Sequence, residues 1–153
     1  MPISDREVVA RLLLAVLFSG LIGLEREVSG RAAGFRTHIL VCVGSALMML
    51  TGMHLFAVYH GLTDVDPGRI AAQVVSGIGF LGAGTIIQYH DSVRGLTTAA
   101  SLWAAAGIGL AVGSGFYVGA VAATGIVLIV LYILSVVEHR LVRSKRKQLK
   151  EDA

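Results

Sequence analysis

Apolar residues in this chain run in five long blocks separated by short polar stretches, with no strict alternation of apolar and polar positions. The blocks are Glu7 to Leu24, His38 to Tyr59, Arg69 to Tyr89, Leu96 to about Gly113, and Phe116 to Val137. A helix needs ~20 such residues to cross the hydrocarbon core of a bilayer. Short connections predict that successive helices are neighbours in one bundle. The pattern therefore predicts an all-α membrane protein, a compact bundle of five transmembrane helices over residues 1–137 with a basic tail over 138–153. The first block has no A-x-A-like cleavage site before Glu25 and is followed by further spans, so it reads as a retained helix.

Composition agrees with lipid as the solvent. Apolar residues make up 55% and charged residues 15% of the chain, against about 25% charged in soluble domains. Mean hydropathy is +0.76. Most of the 19 glycines lie inside apolar blocks, a habit of membrane helices. Net charge is +3, but the cations gather at block ends and in the tail, which argues against a nucleic-acid partner. The single cysteine, Cys42, allows no internal disulfide and no thiolate cluster.

Cation placement also sets an expected orientation. With five spans, one side holds Arg26, Arg31, Arg36, Arg94, Arg140, Arg143, Lys145, Arg146, Lys147 and Lys150, and the other holds Arg6, Arg11 and Arg69. The positive-inside bias then puts the N-terminus outside and the C-terminus in the cytoplasm. Near an anionic leaflet each Lys or Arg contributes ~1 kcal/mol, so the tail is expected on the inner membrane surface.

The stretch SGIGFLGAGT, Ser76 to Thr85, contains a literal G-x-G-x-x-G. A dinucleotide site needs a preceding strand and an acidic residue about 20 positions on. Here RIAAQVVS reads as helix, and Thr97 to Leu102 holds no Asp or Glu. Helical spacing gives another account. Ala72, Ser76, Gly79 and Ala83 form one small-residue stripe, and Ala100, Ala104, Gly107, Ala111 and Gly115 form a second. Such stripes let helix backbones approach closely. The other reading is a helix unwound around Gly77–Gly84 that lines a cavity.

No block carries an acidic residue at its middle, as proton relays and cation carriers usually do. Gln73, Gly77, Gly84 and Gln88 are expected to share a face. In the first connection, Glu25 follows the last apolar turn and seeks a cation among Arg26, Arg31, Arg36 and Arg94. With Thr37, these residues make either an ordinary charged rim or an interlocked polar site at the cytoplasmic mouth, where guanidinium and carboxylate would pair bidentately. Asp66-Pro67 reads as a helix cap. Asp64 and Asp66 together are a thin shell for a divalent cation, so no metal site is defined and no cofactor is expected. The histidines His38, His54, His60, His90 and His139 fall near block ends, as interfacial residues. Trp103 lies mid-block and is expected to pack or to donate its N–H to a neighbouring helix. No nucleophile elbow, zinc helix or P-loop appears, so an enzyme is not expected.

Three blocks carry a resemblance: GLEREVSGRAAGFRTHILVCVGSA (Gly23–Ala46), DPGRIAAQVVSGIGFLGAGTI (Asp66–Ile86) and VRGLTTAASLWAAAGIGLAVGSG (Val93–Gly115). In these the chain resembles the membrane domain of the MgtC/SapB family. The matching positions are Glu25, Arg26, Gly34, Arg36, Thr37, Asp66, Arg69, Gln73, Gly77, Gly79, Gly82, Gly84, Gly95, Thr97, Thr98 and Trp103. The resemblance implies a multi-pass protein of the bacterial inner membrane, associated with growth at low magnesium and, in some pathogens, survival in host cells. It brings Mg²⁺ into view as an ion, and the membrane ATP synthase as a partner restrained by one family member. Longer members carry a soluble domain where this sequence has only residues 138–153. Two functions follow: a non-enzymatic membrane regulator acting through protein partners or a second copy, as a homo-oligomer such as a dimer, or a transporter or channel for Mg²⁺ or another small solute.

Overall fold

A computed structural model describes residues 3–61, 65–90 and 92–133. The expected tail and Asp64 lie outside the described residues. Among the described residues five helices appear: α1 (Asp5–Val28), α2 (Phe35–Tyr59), α3 (Pro67–Ala83), α4 (Leu96–Ser114) and α5 (Tyr117–Ile133). By length and composition, three of them, α1, α2 and α4, can cross a membrane. Ser4 caps α1 by accepting from the Glu7 amide, and Asp66 caps α3 by accepting from the Gly68 amide at 2.8 Å with Pro67 in the first turn.

Contacts at the helix ends show the chain running up and down. Gly23 near the end of α1 lies against Phe35 at the start of α2, and Gly52 near the end of α2 meets Pro67 and Ile70 of α3. Gly82 of α3 meets Ala99 of α4, and Arg11 of α1 reaches Gly113 of α4 and Tyr117 of α5. One end of the bundle therefore carries the α1–α2 and α3–α4 connections. The other carries the start of α1 and the α4–α5 turn.

The interior mixes small residues with large ones such as Ile22, Leu102, Ile108 and Val112, while many large apolar side chains face outward. Ala15, Ser19, Cys42, Ala46, Ala105, Ala106 and Ala120 are buried, while Leu13, Leu40, Phe80, Val118, Ile126 and Ile129 are exposed. Lipid supplies no drive to hide large apolar side chains, and small residues at the seams permit close backbone packing. The tightest seam joins α4 to α2. A Cβ added to Gly113 would sit 2.7 Å from the Ala46 carbonyl oxygen, and one added to Gly109 would meet the Cys42 carbonyl and Ser45 Cβ.

Several expectations need correction. The helix expected from Arg69 to Tyr89 stops at Ala83, with Gly84 as its cap. Thr85 turns back to donate its hydroxyl to the Gly82 carbonyl at 2.8 Å. The chain then forms an antiparallel hairpin, β1 (Ile87–Tyr89) and β2 (Ser92–Arg94), with Gln88 opposite Val93. Gln88 thus leaves the face it was expected to share with Gln73. The glycines up to Gly82 are helical, so α3 is not unwound at Gly77–Ala83. Gly95 returns the hairpin to α4 at φ +90°, where a Cβ would collide with the Thr85 carbonyl.

The predicted small-residue stripes do not meet. Ala72, Ser76, Gly79 and Ala83 of α3 are all exposed, and nothing lies within 4 Å of a Cβ placed on Gly79. In α4 the packed glycines are Gly109 and Gly113, on the opposite face from Ala100, Ala104 and Gly107.

Candidate functional site

The polar residues at the connection end grow out of helix α1 itself. That helix continues through Glu25, Arg26 and Glu27 to Val28, so these charges project from a fixed final turn. Arg26 is the more deeply buried, at 3% exposure. Ser29 donates its hydroxyl to Glu25 Oε1 at 2.8 Å, and Arg26 Nη1 lies 3.8 Å from Glu25 Oε2, beyond hydrogen-bond reach. That pair therefore lacks fork-to-fork geometry.

Glu27 does something the sequence did not reveal. Its Oε2 accepts the Phe35 amide at 2.7 Å, so a carboxylate of α1 caps the N-terminus of α2. A Cβ on Gly34 would run into that carboxylate, which accounts for glycine there. The short α1–α2 connection is thereby tied at both ends.

Behind this rim, His38 is wholly buried, contrary to its expected interfacial position. Its Nδ1 lies 2.8 Å from the Gly34 carbonyl, and its Nε2 lies 3.0 Å from Ser101 Oγ of α4. Ser101 Oγ is also 2.9 Å from the Thr98 carbonyl. The signal available in the sequence was spacing: His38, Cys42, Ser45 and Ala46 share the face that meets α4.

Of the expected mouth residues, Glu25 and Arg26 come together and Arg31 is partly buried nearby in sequence. Arg36 and Thr37 are exposed on the first turn of α2, and Arg94 is exposed on β2. On α3, Asp66 serves as the cap, Gly82 packs, and Gly84 ends the helix. Arg69, Gln73, Ser76, Gly77 and Gly79 are all exposed. Thr98 is buried and Thr97 exposed. Trp103 is 55% exposed and does not pack into the bundle as expected.

At the far end, Arg11 is a second residue whose role sequence reasoning missed. Its Nε donates to Tyr117 Oη at 3.0 Å, its Nη1 to the Gly113 carbonyl at 2.6 Å, and its Nη2 to Glu7. One guanidinium thus joins α1, the C-terminus of α4 and the start of α5, where the helix dipole favours a cation. Glu7 four residues before Arg11 was the available clue. A cavity of about 850 Å³ opens nearby, lined by Met49, Met53, Phe56 and His60 among others. Among the described residues, no group of three or more His, Cys, Asp or Glu is placed to hold a metal ion.

The sequence was also compared with known proteins. The model of the MgtC family matches residues 12–140. The chain belongs to the MgtC family. Protein MgtC of Salmonella typhimurium (strain 14028s) is 47% identical over 121 residues, covering 78% of this chain and 49% of that protein. YhiD of Escherichia coli (strain K12), whose name describes it as a candidate magnesium transporter, is 50% identical over 99 residues, covering 63% of this chain and 46% of YhiD. An uncharacterised protein of Haemophilus influenzae is 38% identical over 150 residues, 94% of this chain and 62% of that protein. The chain spans about half the length of the first two relatives. No solved structure matches.

Proposed function

We propose that this MgtC-family chain is a non-enzymatic regulator of the bacterial inner membrane, tied to magnesium homeostasis and acting by contact with a protein partner or a second copy. In this reading all five helices span the bilayer, with the N-terminus outside and the basic tail in the cytoplasm. The observation that carries the proposal is the outward face of α3. Gln73, Ser76, Gly79 and Ala83 lie on it, exposed, in a helix that buries only Ile78 and Gly82. Facing lipid, an amide and a hydroxyl lose the hydrogen bonds that another helix would give them. A partner helix would satisfy them and use the small residues for close approach.

The test separates this surface from folding. Gly79→Leu should abolish support of growth at limiting magnesium while membrane insertion and melting temperature stay at wild type. Full growth support by that variant would remove the proposal.

Transport is the second reading, favoured by the name YhiD carries. Gln73 lies exposed on the outward face of α3 and Thr97 lines a groove between α4 and α5, so a path past both would have to run between copies. Mg²⁺ uptake into liposomes by purified protein, lost on Gln73→Ala, would support it.

A further inference from the structure

Helix α3 is shorter than the uncharged stretch it belongs to. No charged residue occurs from Ile70 to Tyr89, yet the helix stops at Ala83. Its 17 residues rise about 25 Å at roughly 1.5 Å each, against ~30 Å of hydrocarbon. Arg69 in its first turn holds that end near the far headgroups. A span this short draws its flanking residues toward the interface.

Those flanking residues are the β1–β2 hairpin, whose strand residues are all exposed. Ile87 is 64% and Tyr89 69% exposed. A lone two-stranded hairpin is marginal in water, so this one needs a surface to lie on. Exposed Phe80 and Leu81 of α3 lead into it, and exposed Leu96 of α4 leads out. The apolar outer surface of the bundle therefore runs up to the hairpin from both sides.

Alternate strand residues share a face, and paired residues stand side by side. Ile87 pairs with Arg94, and Tyr89 with Ser92. One face thus combines an aliphatic chain, a phenol and a guanidinium. Tyrosine settles at headgroup level, and arginine extends its charge toward water and phosphate. The backbone limits the depth. The outer edges of a two-stranded ladder carry unpaired N–H and C=O groups, which hydrocarbon does not tolerate. Edges of three residues also give a strand of a second copy little to pair with.

We propose that the β1–β2 hairpin is a lipid anchor lying in the headgroup layer. Ile87 and Tyr89 turn into the acyl boundary, and Arg94 meets an anionic phospholipid phosphate. The hairpin completes the crossing that α3 begins and fixes the depth of the α3–α4 end. This rests on the bundle lying in a bilayer, not on a protein partner for α3.

The test is depth-dependent fluorescence quenching in phosphatidylglycerol-containing nanodiscs with a tryptophan-free scaffold. Trp103 is the chain's single tryptophan, so Tyr89→Trp is made together with Trp103→Phe. The indole at position 89 should be quenched best by lipid labels about 5–10 Å below the headgroups, and only weakly by acrylamide. Trp103 of the unaltered chain, midway along α4 and exposed, supplies the deep reference. Strong acrylamide quenching at position 89 without lipid quenching overturns the anchor, while a deep Trp103 keeps the bundle in the membrane. Weak quenching by acrylamide and by every lipid label means that protein covers the hairpin, and also overturns it. Ile87→Trp on the same face repeats the reading if Tyr89→Trp does not fold. Arg94→Glu, which repels lipid phosphate, should raise acrylamide quenching at position 89; an unchanged value removes Arg94 from the anchor.

Discussion

The seam between α2 and α4 makes the sharpest demand on sequence, and Gly113→Ala tests it. An added Cβ would lie 2.7 Å from the Ala46 carbonyl oxygen, 2.8 Å from Met49 Cβ and 3.1 Å from Ala46 Cα. Two of those three atoms are backbone, so no rotamer change relieves the contact and the helices must part. Overpacking of this kind costs about 1–3 kcal/mol. Alanine in a helix recovers about 0.5–1 kcal/mol relative to glycine, so a net loss of about 0.5–2 kcal/mol remains. At Gly79 of α3 nothing lies within 4 Å of the added carbon, and the same substitution should be neutral or slightly stabilising. The assay is thermal unfolding of both variants in a detergent that keeps the protein monomeric. At roughly 2–4 °C per kcal/mol, Gly113→Ala should melt several degrees below Gly79→Ala. Equal melting temperatures would refute the assigned packing, and a larger loss at Gly79 would reverse it.

Other substitutions probe the two ends. Arg11→Lys keeps the charge but cannot serve Tyr117, Gly113 and Glu7 together, so stability should fall by about 1–3 kcal/mol in the same melt. Glu27→Ala removes the cap on α2 and should cost about 1 kcal/mol, while Glu27→Gln retains an acceptor for the Phe35 amide and should lose less. Glu25→Gln should impair function in cells with membrane insertion unchanged; wild-type activity and melting behaviour would show that the Glu25–Ser29–Arg26 cluster is only a rim.

How much of this was written plainly in the sequence depends on the element. The apolar blocks located α1, α2 and α4 because nothing else sustains hydrophobicity over such lengths, and Asp66-Pro67 marked the start of α3 through capping chemistry. The end of α3 was missed because FLGAGTIIQY is uncharged and mostly apolar throughout. Hydropathy is blind to the difference between Ala83 in a helix and Ile87 in a strand, although the β-branched run Thr85, Ile86, Ile87 carried a hint. The small-residue stripes were visible, but spacing alone does not say which of two faces a helix turns inward. In α4 the buried glycines are Gly109 and Gly113, and the stripe of Ala100, Ala104 and Gly107 lies on the other side. Charge proximity in sequence likewise singled out Glu25, whereas the contacts that matter for Glu27, His38 and Arg11 join residues 8, 63 and up to 106 positions apart.

The account rests on α3 presenting Gln73, Ser76 and Gly79 to another protein in the membrane. A photo-crosslinking amino acid at Ser76, set beside one at the exposed Ile126 of α5, measures this directly in living cells. A discrete adduct of defined protein mass from Ser76 and none from Ile126 is the predicted result. Lipid adducts alone at both positions would contradict it.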